Sequence, residues 1–362
     1  HLEKLDITAQ ERDSWYQALE AGQEDAEITL LLSLTTNLDK LTLIMPNWEY
    51  FERPSSLPHF TRIIGSNLFL RNLTSICVRS NYTGENFHGL DDYGLEGYQG
   101  FPFSFLLPFL ALPSLRSAYI THAFDLDIAE EYAPTGSFSS NLKKLTLLYC
   151  AVHPRVLQDV MSRCIGLEVF VCHMPVSDWP VYELSEAMYL HRDTLRTIEL
   201  GLCEWMDNDV ETDGRGEWWV IDDCYSKSFG FLTEYTALRS LTVSEDMLLQ
   251  FSPDPMIDEL LPSGLENLHL NSCTASSLPS LESLLCLVEN HAVMANLSKI
   301  RIDNWNPGLE SRHERHIVNE SRLERQARKI ESTTRMRRLG DGFKAAGIAC
   351  SFGYSWSKQP WY

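Results

Sequence analysis

The sequence lacks the short signatures on which the common enzyme classes depend. It has no G-x-S-x-G nucleophile turn, no H-E-x-x-H metal pair, no P-loop and no dinucleotide glycine fingerprint. Its 11 histidines are scattered, with no ligand-like pair on one helix face, which argues against zinc. Nine cysteines include no C-x-x-C, and an odd number does not suit a disulfide framework. The expectation is a chain with no enzymatic role, no cofactor and no metal, its thiols free in a reducing compartment, cytoplasmic or nuclear. Long hydrophobic runs are also missing. The longest, 101–112, is broken by Pro102 and Pro108 and is too short to cross a bilayer.

Positive charge is scarce. Lys and Arg number 30 against 50 Asp and Glu, a formal net of −20. From Ser311 onward the balance reverses, 11 against 5 or +6, so the rest carries 19 against 45, or −26. A body this acidic repels nucleic acid and anionic membrane, so neither is an expected partner. The basic tail, with Arg312, Arg315, Arg322, Arg325 and Arg328, reads as a solvated helix face.

What the chain does have is one phrase, repeated. In NLKKLTLLYC (141–150), Leu142, Leu145 and Leu147 form L-x-x-L-x-L, whose last letters alternate as a short strand does. Cys150, eight positions after Leu142, falls where such a coil needs a small residue that tucks inward. The phrase returns at Leu2, Leu38, Leu73, Leu115, Leu167, Leu195, Leu238, Leu265 and Leu297, making ten copies. Successive first leucines lie 25 to 43 residues apart, the shorter intervals of 25 to 28 marking the regular unit and the longer ones insertions. Because the first copy starts at Leu2, the chain is expected to be a piece of a longer protein.

Between the strands, amphipathic patterns predict helices over 14–34, 154–163, 181–190, 254–261 and 278–293. Strand followed by helix, repeated, predicts an α/β leucine-rich-repeat solenoid: a curved parallel β-sheet on the concave face, helices on the convex face. We expect an array over 1–305 and a C-terminal helix and capping strand over 306–362. The helix is expected over 309–338, with an apolar stripe of Leu323, Ala327 and Ile330. The strand is expected over 343–352.

Spacings with Cys or Asn eight residues on, as in Leu142 with Cys150, Leu265 with Cys273 and Leu73 with Asn81, resemble ribonuclease-inhibitor-like leucine-rich repeats. The irregular units and aromatic insertions resemble the repeat domains of fungal F-box and leucine-rich-repeat proteins, over 2–302. That resemblance implies a protein-binding module acting as substrate-recognition part of an SCF-type ubiquitin ligase. The alternative is a repeat scaffold unrelated to ubiquitin, with an enzyme built on a solenoid as the third class. No F-box lies in 1–362, so a ligase adaptor is an expected partner only if a box lies upstream of His1.

Candidate binding residues come from the solvent positions of the strands and from one insertion. Directly after the first leucine stand Arg116, Lys143, Arg196 and Arg239, with Lys144 beside them, a basic row on an acidic body. Tyr119, Tyr149 and His173 add aromatic anchors of the kind interfaces favour. These residues predict a protein or peptide partner of acidic character. The insertion 204–223 places Trp205, Trp218 and Trp219 among carboxylates, as a recognition loop would. Its Asp209, Glu211, Asp213 and Gly214 mimic half of a calcium loop, but Val220 stands where the bidentate glutamate belongs. A solvated acidic loop is therefore expected. A second insertion, 81–100, is rich in glycine and aromatic residues and reads as a sticky loop or a lid.

Overall fold

A computed structural model describes residues 8–35, 37–45, 48–49, 70–81, 99–125, 139–174, 181–202, 232–244, 248, 260–271, 273, 277–290, 294–303 and 322–353. The chain divides into two compact units, His1–Leu167 and Glu168–Tyr362, and each is built on a parallel β-sheet with helices.

The first unit opens with α1 (Ala9–Glu20) and α2 (Glu24–Leu34). Thr8 starts α1 with a capping box: its hydroxyl accepts the Glu11 N–H, and the Glu11 carboxylate accepts the Thr8 N–H. The single helix expected over 14–34 is thus two. Gly22 sits at φ +66°, and the N–H groups of Gly22 and Gln23 turn back to the carbonyls of Leu19 and Ala18. This left-handed cap suits glycine and ends the helix there. The pair closes through Trp15, Ala18 and Ala26, with the Trp15 indole donating to the Ala26 carbonyl at 3.1 Å.

Eight strands follow: β1 (Lys40–Met45), β2 (Trp48–Glu49), β3 (Ser75–Ser80), β4 (Gln99–Pro102), β5 (Ser117–Thr121), β6 (Ala123–Asp125), β7 (Lys144–Leu148) and β8 (Ala151–Val152). Strands β1, β3, β5 and β7 pair in parallel, so that Leu41, Ile76, Ala118 and Leu145 form one cross-strand row. Leu43, Val78, Ile120 and Leu147 form the next. The second and third leucines of each phrase therefore align, and Leu145 and Leu147 are fully buried. A second sheet, absent from the sequence reading, runs β2-β4-β6-β8, antiparallel at its first pair and parallel at the others. The broken apolar run 101–112 becomes core: Phe101, Phe103, Leu106, Phe109, Leu110 and Leu112 are buried around the one-turn helix α3 (Leu107–Leu110). Helix α4 (Pro154–Ser162) begins with proline in its first turn and buries Val156, Leu157, Val160 and Met161.

The second unit holds β9 (Val169–Met174), α5 (Val181–Tyr189), β10 (Thr197–Leu202), β11 (Ser240–Ser244), β12 (Asn267–Asn271), α6 (Leu278–Glu289), β13 (Lys299–Asp303), α7 (Arg322–Ala345) and β14 (Ala349–Gly353). Its six strands pair in parallel in chain order. Phe170, Ile198, Leu241, Leu268, Ile300 and Cys350 share one register row.

The C-terminal segment departs from expectation. In the described part, the helix runs on to Ala345, and Phe343 belongs to it rather than to a strand. Gly347, at φ +83°, ends it, with Ile348 N–H on the Phe343 carbonyl and Gly347 N–H on the Lys344 carbonyl. Only then does β14 begin. The stripe expected to pack is in water: Leu323 is 78% exposed and Ile330 61%. The buried face is Met336, Leu339 and Phe343, further toward the C-terminus, and Arg335 clamps α7 to Glu282 of α6 with bonds of 2.9 and 2.7 Å. The repeat at Leu2 and most of the helix expected over 254–261 lie outside the described residues.

A further regularity precedes five of the described strands. The first leucine donates its N–H to the residue three back, joining Leu73 to Leu70, Leu115 to Leu112, Leu238 to Tyr235, Leu265 to Pro262 and Leu297 to Met294. These partners are buried, so each of these five coils enters its strand through an inward-facing turn.

Candidate functional site

The residue after each first leucine lies at the strand entrance, and the backbone places these positions side by side. In the first unit Thr74 N–H bonds Asp39, Arg116 bonds Thr74 and Lys143 bonds Arg116; in the second, Arg196 bonds Glu168, Arg239 bonds Arg196, Glu266 bonds Arg239 and Ser298 bonds Glu266. The side chains then take an unexpected course. Arg116 donates to the carbonyls of Pro113, Leu115 and Asn141. Lys143 donates to Ile165 and Gly166, and Arg239 to Thr236, Leu238 and Gly264. Asn141, Gly166 and Gly264 each immediately precede the first leucine of the next repeat. Three cations of the row thus tie one coil entrance to the next, which engages their donors within the fold. Arg239 also stands 3.5 Å from Glu266. Arg196 is exposed and makes no such carbonyl bond among the described residues.

The solvent face of the first unit's sheet is read from its register. Its side chains are Lys40, Thr42 and Ile44 on β1; Ser75, Cys77 and Arg79 on β3; Ser117, Tyr119 and Thr121 on β5; and Lys144, Thr146 and Leu148 on β7. Three cations stand here and no carboxylate, in a chain of net charge −20. Ile44 is 69% exposed. The Arg79 guanidinium lies 5.7 Å from the centre of the Tyr119 ring, a cation–π contact, and burial pushes the Tyr119 phenol up while Arg79 opposes the shift. Thr146 is buried, and its Oγ1 has no hydrogen-bond partner. At the strand ends His122 and Tyr149 take left-handed φ of +57° and +55°, and their rings stack. Lys144, Tyr119 and Tyr149 therefore stand on or beside this face, joined by Arg79 and Ile44, which sequence reasoning did not select. The alternation of β1 and β3 would have pointed to both.

In the second unit the corresponding face carries two histidine–carboxylate pairs. His173 Nε2 lies 2.8 Å from Glu199 Oε1 across β9 and β10, and His269 Nε2 lies 2.9 Å from Asp303 Oδ2 across β12 and β13. Arg301 donates to both Asp303 oxygens, from Nε at 3.0 Å and from its terminal nitrogen at 2.7 Å. Asp303 is nearly fully buried, and two donors keep its charge matched. Burial lowers the His269 pKa, with Asp303 pulling the other way. The strand pattern of the sequence places His173, Glu199 and His269 at solvent positions, and of these His173 is the candidate binding residue. The two pairings join diagonal neighbours two positions apart on consecutive strands and are visible only once the register is known.

Trp205, Trp218 and Trp219 lie outside the described residues, as do the rest of 204–223 and nearly all of 81–100. Among the described residues no three metal-ligating side chains come together, and no helix is long and apolar enough to cross a membrane. The seven described cysteines, Cys77, Cys150, Cys164, Cys172, Cys273, Cys286 and Cys350, are free thiols. No protein-family model matches the chain, and no curated protein matches it.

Proposed function

We propose that the chain is a protein–protein interaction module, a leucine-rich-repeat solenoid whose concave face is the solvent side of its parallel strands. The observation that carries this reading is the face built from Lys40, Ile44, Arg79, Tyr119 and Lys144: cations, an aromatic ring and an exposed aliphatic side chain, with no carboxylate among them. Aromatic and arginine side chains concentrate binding energy, and a basic surface on an acidic body steers acidic partners toward it. The partner is therefore a protein segment rich in Asp and Glu or phosphorylated, with apolar residues interspersed. The cations that face it are Lys40, Arg79 and Lys144 rather than Arg116, Lys143 and Arg239, whose donors bind carbonyls.

The resemblance to F-box and leucine-rich-repeat proteins extends this reading to the substrate-recognition part of an SCF-type ubiquitin ligase. To test it, proteins that co-purify with the chain from its source cells are quantified for wild type and for Arg79→Glu with Lys144→Glu. The module reading expects the double variant to lose specific partners while keeping its melting temperature. An unchanged partner set contradicts the assignment of this face. Cullin and adaptor subunits among the partners would support the ligase role, and partners without them would leave a scaffold.

A further inference from the structure

Two helices carry apolar side chains on faces that the described residues leave open. On α2, Ile28 is 41% exposed, Leu31 62% and Leu34 51%, and with Glu24 and Glu27 they recur every three or four residues along one side. The opposite side, Ala26, Thr29 and Ser33, is the buried one. On α7, Leu323, Ala327 and Ile330 follow the same spacing and are exposed, while Ser332, Met336, Leu339 and Phe343 bury the other side. The outward side runs on through Thr334 to Arg337 and Arg338, both exposed. Single exposed apolar residues are ordinary, but an aligned row at helical spacing is what one helix offers another.

The two rows are complementary in charge and in order. Residues 8–35, which hold α1 and α2, carry six carboxylates against one cation, a net of −5. Helix α7 carries eight cations against three carboxylates, a net of +5. Glu24, Glu27, Arg337 and Arg338 form no ion pair among the described residues. Laid antiparallel, the helices set Leu31 against Ile330 and Leu34 against Ala327. The seven residues from Leu31 back to Glu24 then match the seven from Ile330 on to Arg337, a rise of about 10.5 Å each. The acidic first turn of α2 faces Arg337 and Arg338, and the two helix dipoles oppose one another favourably. A parallel arrangement would instead lay Glu24 on Leu323.

We propose that the outward face of α2 docks, antiparallel, on the outward face of α7 in a second copy of this chain. Both faces are open within one chain, so the contact joins copies. Because the two surfaces differ, it is a head-to-tail contact that continues into a ring or an open row. A single helix pair buries less than the about 1,200 Å² of a standard complex, so the association is weak and reversible. It uses neither the strand face around Tyr119 nor the partner proposed there.

Sedimentation velocity of the full chain, from about 10 µM to about 1 mM, tests it. The mean mass of the wild type should rise with concentration. Glu24→Lys with Glu27→Lys, and Arg337→Glu with Arg338→Glu, should each weaken association about tenfold or more, since attraction becomes like-charge repulsion. An equimolar mixture of the two variants should recover it, because each then meets its complement. Should either double variant misfold, a photo-crosslinking phenylalanine analogue in place of Leu31 decides: it should join to residues 323–334 of an isotopically labelled second copy. A wild type that stays monomeric throughout, a mixture no more associated than its parts, an Arg337→Glu, Arg338→Glu variant that associates as the wild type does, or crosslinks only outside 323–334 would overturn the proposal.

Discussion

The imidazole of His122 lies on the ring of Tyr149, centroids 5.3 Å apart and planes 17° apart, and each residue holds a left-handed backbone. They are equivalent positions, seven residues after Leu115 and Leu142, at the corners where β5 turns into β6 and β7 toward β8. A left-handed residue other than glycine costs about 1–2 kcal/mol, and the stack returns about 0.5–1.5 kcal/mol. Tyr149→Gly relieves the backbone while losing the ring and should change stability by less than about 1 kcal/mol. Tyr149→Val keeps the strain, adds β-branching and loses the ring, and should destabilise by about 1–2 kcal/mol. Chemical denaturation of the two variants distinguishes them, and equal losses would show that the corner conformation is relaxed.

His122 also predicts a pH dependence. Burial pushes its pKa down to about 4 from the ordinary 6.5, so the folded state holds it neutral while the unfolded chain takes up a proton below pH 6.5. The unfolded state binds more protons in that window, so stability falls as pH drops from about 6.5 to 4. Comparing wild type with His122→Gln, which cannot titrate, should show wild type losing about 2–3 kcal/mol more between pH 7 and 4. Parallel curves would mean that the imidazole is open to water.

The carbonyl-binding cations yield a double-mutant cycle. A Cβ on Gly264 would fall 2.4 Å from an Arg239 terminal nitrogen. Gly264→Ala should therefore displace the guanidinium and mimic Arg239→Met, each costing about 0.5–1 kcal/mol at this half-exposed site. The double variant should be no worse than either single one. Additive losses would separate Arg239 from the Gly264 turn.

Thiol chemistry gives a direct check on the inward-facing positions. Burial pushes the thiols of Cys150 and Cys164 up to about 12, whereas Cys286 is exposed. Alkylation of the native protein near pH 8 should label Cys286 first and spare Cys150 and Cys164, because the thiolate is the reactive form. In denaturant without reductant, nine labels are expected, one per cysteine. Fewer would reveal a disulfide.

Leu145, fully buried, tests the repeat register. Leu145→Ala should cost about 2–5 kcal/mol through lost burial and a cavity. A melting curve that does not move would contradict the alignment of Leu145 with Ala118 and, through it, with Ile76.

The strands were legible because their signal is local and repeated: a period of two within L-x-x-L-x-L, anchored by leucines such as Leu142 and small residues such as Cys150. Strands β6 and β8, of three and two residues, are too short to carry any period, so the second sheet was not. The break at Gly22 and the cap at Gly347 were present as glycines, yet amphipathic runs on either side outweighed them. The candidate site was half legible. The register placed Tyr119 and Lys144 correctly on the solvent face, but Arg116, Lys143 and Arg239 have stems long enough to reach either solvent or a neighbouring carbonyl. Only the position of that carbonyl decides. The pairing of His269 with Asp303 depends on residues 34 apart in sequence and could not be read before the strands were aligned.

The proposed acidic protein partner would sit on the solvent face around Tyr119. A photo-crosslinking phenylalanine analogue at Tyr119, and the same analogue at Arg155 on α4 as a control, tests it most directly in source cells. Discrete protein adducts are expected from position 119, disappearing in the Arg79→Glu, Lys144→Glu background, with crosslinked peptides rich in Asp, Glu or phosphate. Adducts from position 119 no different from those of position 155, or undiminished by the charge reversals, would contradict it.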